Sequence, residues 1–266
     1  MRVTVVGCSG SLPGPGSPAS CYLVEAEGPH GAGGTRTWRV LLDLGSGALG
    51  QLQNYVGLRQ IDAVALSHLH ADHCLDLCGM YVALKYHPAG PPDSRLPVYG
   101  PGGTAARMAR AYDIDVDPGM GAELDVLEWR SGEPVQIGPL QLTPFQVVHP
   151  VEAYAIRVQG PSDDLAAGTV VLAYSGDTDT CSGLTAAAEG ADVLLAEAAY
   201  QEGRDEVRGV HLTGRRAAQV ARAADVGLLV LTHLPPWNDT ATTVTEARAV
   251  WDGQLEVAHP GLQITL

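Results

Sequence analysis

The sequence predicts a layered α/β sandwich in one domain, and three observations carry that expectation. Short apolar strands alternate with helical stretches along the whole chain, in two strand-rich halves that each bring their own helices. At 266 residues and 45% hydrophobic content, the chain suffices for one large α/β domain or two small ones. Its 32 glycines and 18 prolines supply the many turns that short elements require.

Taken in order, Arg2–Gly7 opens as an apolar strand that enters a Gly/Ser/Pro loop. Strands follow at Ser20–Glu27 and Thr37–Leu42, with Gly28–Gly34 between them as a long hairpin tip that leaves His30 in solvent. Ala48–Gly57 reads as a helix. Ile61–Leu66 is a buried strand running straight into Ser67-His68-Leu69-His70-Ala71-Asp72-His73. Cys74–Tyr86 has helical spacing and stops at His87-Pro88. Strands are expected next at Pro97–Tyr99, Leu124–Trp129, Leu140–Val148, Ala153–Val158, Thr169–Tyr174, Val193–Ala196 and Leu228–Leu231. The accompanying helices are Thr104–Tyr112, Ser182–Glu189, Thr213–Ala224 and Val244–Trp251. Gly160–Gly168 reads as a polar hairpin loop rather than an interdomain linker, so residues 1–266 are expected to form a single domain.

Charge narrows the function. Sixteen Lys+Arg face 30 Asp+Glu, a formal net charge of −14, and Lys85 is the single lysine. That balance argues against a protein that coats nucleic acid through a general positive field. A local phosphate pocket stays open, because a metal ion reverses the local sign. The chain opens with no secretory pattern, and no apolar run approaches the roughly 18 residues that span a bilayer. Five cysteines, odd in number and without a C-x-x-C pair, read as reduced thiols in a cytoplasmic protein that does not engage membranes. Cys74 and Cys78 lie one helical turn apart, but a better metal set stands beside them.

That set is His68-x-His70-x-Asp72-His73, three imidazoles and a carboxylate within six residues, directly after a strand. Imidazole nitrogen and carboxylate oxygen suit zinc and similar divalent ions. A loop leaving a strand can converge such side chains where a helix would scatter them. The motif resembles the signature of the metallo-β-lactamase superfamily, whose fold is an αββα sandwich. The rest of the chain resembles that superfamily in order: Asp43 in Leu41-Leu42-Asp43-Leu44-Gly45, His149 in Val148-His149-Pro150, Asp177 in Ser175-Gly176-Asp177-Thr178, and His233 in Thr232-His233-Leu234. The resemblance implies two divalent metal ions, zinc foremost, with manganese or iron as alternatives. One would take His68, His70, His149 and Asp177; the other would take Asp72, His73, His233 and Asp177. A water or hydroxide would bridge them, and Asp43 would support the metal loop by hydrogen bonding rather than by ligation.

Val210-His211-Leu212-Thr213-Gly214, preceded by Glu197-Ala198-Ala199-Tyr200, selects a branch. A histidine before a helix, with Thr213 as its N-cap, resembles the motif of the tRNase Z-like phosphodiesterases. In that branch the equivalent of His211 protonates the leaving alkoxide and that of Asp72 helps to orient the attacking water. The tRNase Z family commonly carries a long glycine- and proline-rich arm between the third histidine and the bridging aspartate. Here only 27 residues separate His149 from Asp177.

A nearer resemblance, running over almost the whole chain, is to actinobacterial cyclic-nucleotide phosphodiesterases. Its carriers include Gly7-Cys8-Ser9-Gly10-Ser11, Ser17-Pro18-Ala19-Ser20, His211-Leu212-Thr213-Gly214 and Leu231-Thr232-His233-Leu234-Pro235-Pro236-Trp237. It implies hydrolysis of 3′,5′-cyclic nucleotides such as cyclic AMP to 5′-monophosphates. The expected partner is therefore a small phosphodiester rather than a large nucleic acid, and a homodimer is compatible with related enzymes. Alternatives are a tRNase Z-like RNA phosphodiesterase and an arylsulfatase-like esterase. Arg215 and Arg216, in the first turn of the helix after His211, read as exposed residues, with positive charge near the phosphate as the alternative. Ser9, Ser11 and Trp237 lie in loops able to border the pocket.

Overall fold

The central strands are apolar at consecutive positions, so both of their faces must be covered. In the computed structural model, which describes residues 1–31, 33–164 and 168–266, one face of each sheet is covered by the other sheet and the opposite face by helices. The first sheet is built from β1 (Arg2–Gly7), β2 (Cys21–His30), β3 (Gly34–Leu42), β4 (Ala63–Ala65), β5 (Leu96–Gly100) and β6 (Leu124–Glu128). The second runs β7 (Val135–Ile137), β8 (Leu140–Gln146), β9 (Tyr154–Pro161), β10 (Thr169–Tyr174), β11 (Val193–Glu197), β12 (Leu228–Thr232) and β13 (Gln254–Val257). A final strand, β14 (Gln263–Thr265), returns to pair with β1.

Helices α1 (Ala48–Leu52), α2 (Ala71–Cys74), α3 (Leu77–Lys85) and α4 (Thr104–Ala111) belong to the first half of the chain. The second half supplies α5 (Ser182–Ala188), α6 (Gly214–Ala223) and α7 (Thr240–Arg248). Both sheets follow one plan, with antiparallel neighbours up to β3 and β10 and parallel neighbours beyond them. Parallel strands all end on the same side, which collects the residues that follow them at one edge of the sandwich.

Strand periodicity explains the layering. Val40 and Leu42 of β3, and Val170, Leu172 and Tyr174 of β10, point into the core between the sheets. Their alternates, Leu41 on one side and Val171 and Ala173 on the other, pack under helices. Under the second sheet's helices the cover is largely alanine (Ala187, Ala188, Ala217, Ala218, Ala221), small enough for close helix–sheet approach.

Several boundaries differ from the sequence expectation. β2 and β3 stay paired out to His30 and Gly34, so Gly28, Pro29, His30 and Gly34 belong to the strands rather than to a long tip. Ala48–Gly57 is helical only to Leu52. Cys74–Tyr86 is interrupted before Leu77, because the His73 carbonyl accepts Leu44 N and Asp76 N donates to Leu44 O instead of continuing the helix. The last helix starts at Thr240 rather than Val244, since Asp239 caps it through Ala241 N and Thr242 N. β7, β13 and β14 are short and mostly half-exposed, which hides them from an apolar-run reading. Ala32 and residues 165–167 of the two expected hairpin loops lie outside the described residues. Among the described residues, no helix is long and apolar enough to cross a membrane.

Leu172 is fully buried between the sheets. Leu172→Ala should lower the unfolding free energy by about 2–5 kcal/mol. Chemical denaturation should show this as a lower midpoint with an unchanged slope.

Candidate metal centre

Six strand ends and the short helix α2 build the centre. The expected loop after β4 turns helical at Ala71, so Asp72 and His73 project from the first turn of α2 with His70 at its N-cap. Asp43 follows β3, Ser67 and His68 follow β4, His149 follows β8, Asp177 follows β10, Glu197 ends β11 and His233 follows β12. The Ser67 turn is fixed from three sides: Leu66 N donates to Tyr99 O (2.8 Å), Trp129 Nε1 to Leu66 O (2.9 Å) and Tyr154 N to Ser67 O (3.0 Å). Asp43 and His233 both adopt left-handed backbone, at φ 60° and 55°. Such strain persists only where the surroundings impose it. Opposite His233 sits Gly10, where a Cβ would lie 2.2 Å from the His233 carbonyl oxygen.

The structure brings all seven sequence-predicted ligands into two adjoining groups, His68/His70/His149/Asp177 and Asp72/His73/His233/Asp177, with Asp177 common to both. In the first group, His70 Nδ1 lies 3.0 Å from His68 Nε2 and 3.2 Å from His149 Nε2. Ser67 Oγ donates to Asp43, so it accepts from His68 Nδ1 at 3.1 Å. His149 Nδ1 donates to Val210 O at 2.9 Å. Both outer nitrogens being occupied, the Nε2 lone pairs of His68 and His149 face inward, where one His70 hydrogen cannot satisfy both. Burial first, then neighbouring imidazoles, hold the His68, His70 and His149 pKa values below the ordinary histidine range, so the rings offer lone pairs rather than charge.

In the second group, Asp43 Oδ2 accepts His73 Nδ1 at 2.7 Å. That leaves His73 Nε2 facing Asp177 Oδ1 at 3.2 Å and Asp72 Oδ2 at 3.5 Å. Neither His73 Nε2 nor Asp177 Oδ1 has an aligned hydrogen-bond partner, although both are buried. His233 Nδ1 lies 2.9 Å from Ser20 Oγ, and its Nε2 is 3.4 Å from Asp177 Oδ2 and 3.7 Å from Asp72 Oδ2. Burial opposes ionisation of Asp72 and Asp177, yet the surrounding histidines outweigh it and hold both carboxyls well below the usual range. Burial opposes charge on His73, but Asp177 and Asp43 outweigh it and raise its pKa, so this ring balances the carboxylates where a cation would otherwise do so. The His/Asp cluster fits a dinuclear divalent metal site.

Asp43 stands outside both groups. It is fully buried and accepts Ser67 N (2.6 Å), Ser67 Oγ (2.7 Å), His73 Nδ1 (2.7 Å) and Tyr174 Oη (2.7 Å). His211 lies beside the second group, with Nδ1 3.9 Å from Asp177 Oδ2 and 2.9 Å from Glu197 Oε1. Burial alone would lower its pKa, but Glu197, bonded to it, and Asp177 raise it to about 9. Thr213 caps α6 through Arg216 N, as its position predicted.

Glu197 went unrecognised as a site residue in the sequence, though a carboxylate ending an apolar strand repeats the pattern of Asp43 and Asp177. Arg216 differs from expectation: its side chain is largely buried, 3.5 Å from Glu202 and 3.7 Å from Asp179. Cys74 packs in the core under α3, and burial pushes its thiol up to about 12, away from the thiolate a metal needs.

A family model described as a beta-lactamase superfamily domain matches residues 38–234, a span that holds Asp43 and every ligand candidate. The chain belongs to that superfamily, and its fold is the metallo-β-lactamase α/β sandwich. Its relatives include a protein of Mycobacterium leprae that is 41% identical over 264 residues, covering 98% of this chain and 87% of that one. The probable metallo-hydrolase YhfI of Bacillus subtilis is 28% identical over 266 residues, 98% of each chain. The YhfI crystal structure superposes with a TM-score of 0.79, covering 99% of this chain and 98% of that one at 26% identity. A ribonuclease Z of Mycolicibacterium gilvum is 30% identical over 306 residues, 98% of each chain.

Asp43→Ala removes the acceptor that orients His73 and the Ser67 turn. Metal affinity should fall by roughly 10–100-fold. Competition against a chelating dye of known affinity measures the loss.

Proposed function

We propose that this protein is a two-metal phosphodiesterase acting on small phosphodiesters, with 3′,5′-cyclic nucleotides such as cyclic AMP as substrates and 5′-monophosphates as products. Relatives named metallo-hydrolase and ribonuclease Z support the coarser statement, a metal-dependent hydrolase of phosphoester bonds. The observation that carries the phosphodiesterase reading is the Glu197–His211 pair next to the shared carboxylate Asp177. The preference for a small substrate rests on the net charge of −14 and the short connection after His149. An ester that departs as an alkoxide needs a proton donor, and this pair supplies one.

His68, His70, His149 and Asp177 would hold one ion, and Asp72, His73, His233 and Asp177 the other, zinc being our choice. Divalent cations there lend charge to the phosphoryl oxygens and acidify the attacking water. With His211 Nδ1 engaged by Glu197, Nε2 is the nitrogen that carries a proton to the leaving oxygen. Glu197 is itself held by Thr178 N and Ala199 N, both at 3.0 Å, so the donor is fixed in place. Asp72, kept ionised, accepts a hydrogen bond from the attacking water.

An RNA substrate is the second reading, favoured by the ribonuclease Z relative. Against it stand the net charge of −14 and the brevity of the stretch after His149. There β9 and β10 pair with only residues 162–168 between them, where an RNA-holding arm would emerge. A turnover panel of metal-quantified protein decides between these: cyclic AMP, cyclic GMP, 2′,3′-cyclic nucleotides, bis-p-nitrophenyl phosphate, precursor tRNA, a p-nitrophenyl sulfate ester and nitrocefin. The 3′,5′-cyclic nucleotides should lead it. Precedence of precursor tRNA would replace the proposal with the second reading, and inertness toward every phosphodiester would end both.

His211→Ala should keep both metals and lose roughly 10²–10⁴-fold in turnover of an alkoxide ester. Much less should be lost on a p-nitrophenyl ester, whose phenolate leaves without a proton; equal losses would remove His211 as the acid. Because the Glu197 carboxylate bonded to it holds the His211 proton, alkoxide-ester turnover should fall on the alkaline side as that proton is lost. In Glu197→Gln that alkaline limb should move downward by roughly one to three pH units.

A further inference from the structure

Val148, the residue before His149, is pinned from both sides by the segment after Asp177. Its N–H donates to Thr178 Oγ1 at 3.2 Å, and its carbonyl accepts Asp179 N at 3.0 Å. The carboxylate of the same Asp179 reaches the other way. It accepts Arg208 Nε at 2.6 Å, Arg208 Nη2 at 3.0 Å and Gly209 N at 2.8 Å. Arg208 Nη2 is also bonded to Thr180 Oγ1 at 3.0 Å. The next residue, Val210, supplies the carbonyl that accepts His149 Nδ1, and the one after it is His211. Arg216, near Asp179 at 3.7 Å, donates to the His211 carbonyl at 3.3 Å.

An ordinary surface ion pair would do little here, since solvent screens both partners. This pair is lopsided: the Asp179 side chain is 4% exposed and that of Arg208 is 61%. The buried carboxylate is bound in the fork geometry that guanidinium offers and lysine does not. It therefore holds an otherwise solvent-exposed loop at one position.

We propose that Asp179 and Arg208 form a latch that positions His149 and His211. By seating Arg208 and Gly209, Asp179 places the Val210 carbonyl where it fixes the tautomer and orientation of His149, and it sets the take-off point of His211. Both are positioning residues, acting through the Val210 carbonyl and the backbone, and neither is a ligand. The inference rests on the roles given above to His149 and His211.

The test compares zinc-loaded parent, Arg208→Gln, Asp179→Asn and the double variant by imidazole nitrogen–proton correlation spectra, chelator competition and turnover. In the parent, His149 should show a slowly exchanging Nδ1 proton. In Arg208→Gln and Asp179→Asn that proton should exchange several-fold faster. Zinc affinity should drop by roughly three- to tenfold, less than for a group bonded directly to a ligand. Turnover of an alkoxide ester should drop more than that of a p-nitrophenyl ester, and the double variant should be no worse than the worse single one. A His149 proton and zinc affinity in Arg208→Gln indistinguishable from the parent would overturn the latch, as would additive losses in the double variant. If Asp179→Asn fails to fold, Arg208→Gln decides alone, because it alters an exposed side chain. The spectra and zinc affinities are read without substrate, so the latch can stand even if every phosphodiester proves inert.

Discussion

One buried carboxylate ties the molecule together. Asp43 leaves β3 of the first sheet and accepts the hydroxyl of Tyr174 from β10 of the second, while its remaining contacts hold the Ser67 turn and His73. Hydrogen bonds to a charged group contribute about 1.5–3 kcal/mol each. Four of them on one side chain explain how a fully buried anion is tolerated and how a left-handed backbone is retained at Asp43. The consequence is geometric. The same group joins the two sheets at the site and orients the His73 imidazole, so a shift of Tyr174 on β10 is felt at His73.

The centre is where the chain concentrates its imidazoles. Six of its nine histidines gather there among the carboxylates of Asp72, Asp177 and Glu197. Burial keeps the rings of the first group neutral, and the histidines keep Asp72 and Asp177 ionised. Lone pairs and anions converging on two adjacent points have already met much of the cost of orienting donors around a cation.

Much of this was legible in the sequence, and for a physical reason. Metal ligation needs particular side chains close together, so His68, His70, Asp72 and His73 stand out by spacing, whereas His149, Asp177 and His233 are legible only through the ordered resemblance to the superfamily. Buried strands were equally plain, because a sheet covered on both faces leaves an unbroken apolar run. What escaped notice depends on contacts between distant segments. Glu197 earns its role from His211, and Asp179 from Arg208, pairings that no local pattern encodes. Helix ends moved for a similar reason: Leu44 interrupts the helix after His73 by taking hydrogen bonds the helix would have made. The exposed edge strands β13 and β14 carry too few apolar residues to announce themselves.

The distribution of the ligands along the chain has a consequence for biosynthesis. His68, His70, Asp72 and His73 leave the ribosome together, whereas His233 follows 160 residues after His73. At ordinary elongation rates of 5–20 residues per second, roughly 8–32 s pass before the set is complete. During that interval the nascent chain exposes an imidazole-rich half-site with no partner sheet to shape it. Divalent ions bind such a flexible site in the order of their intrinsic affinities, with copper ahead of zinc. Geometry can act on that order only once β10 and β12 bring Asp177 and His233 into place.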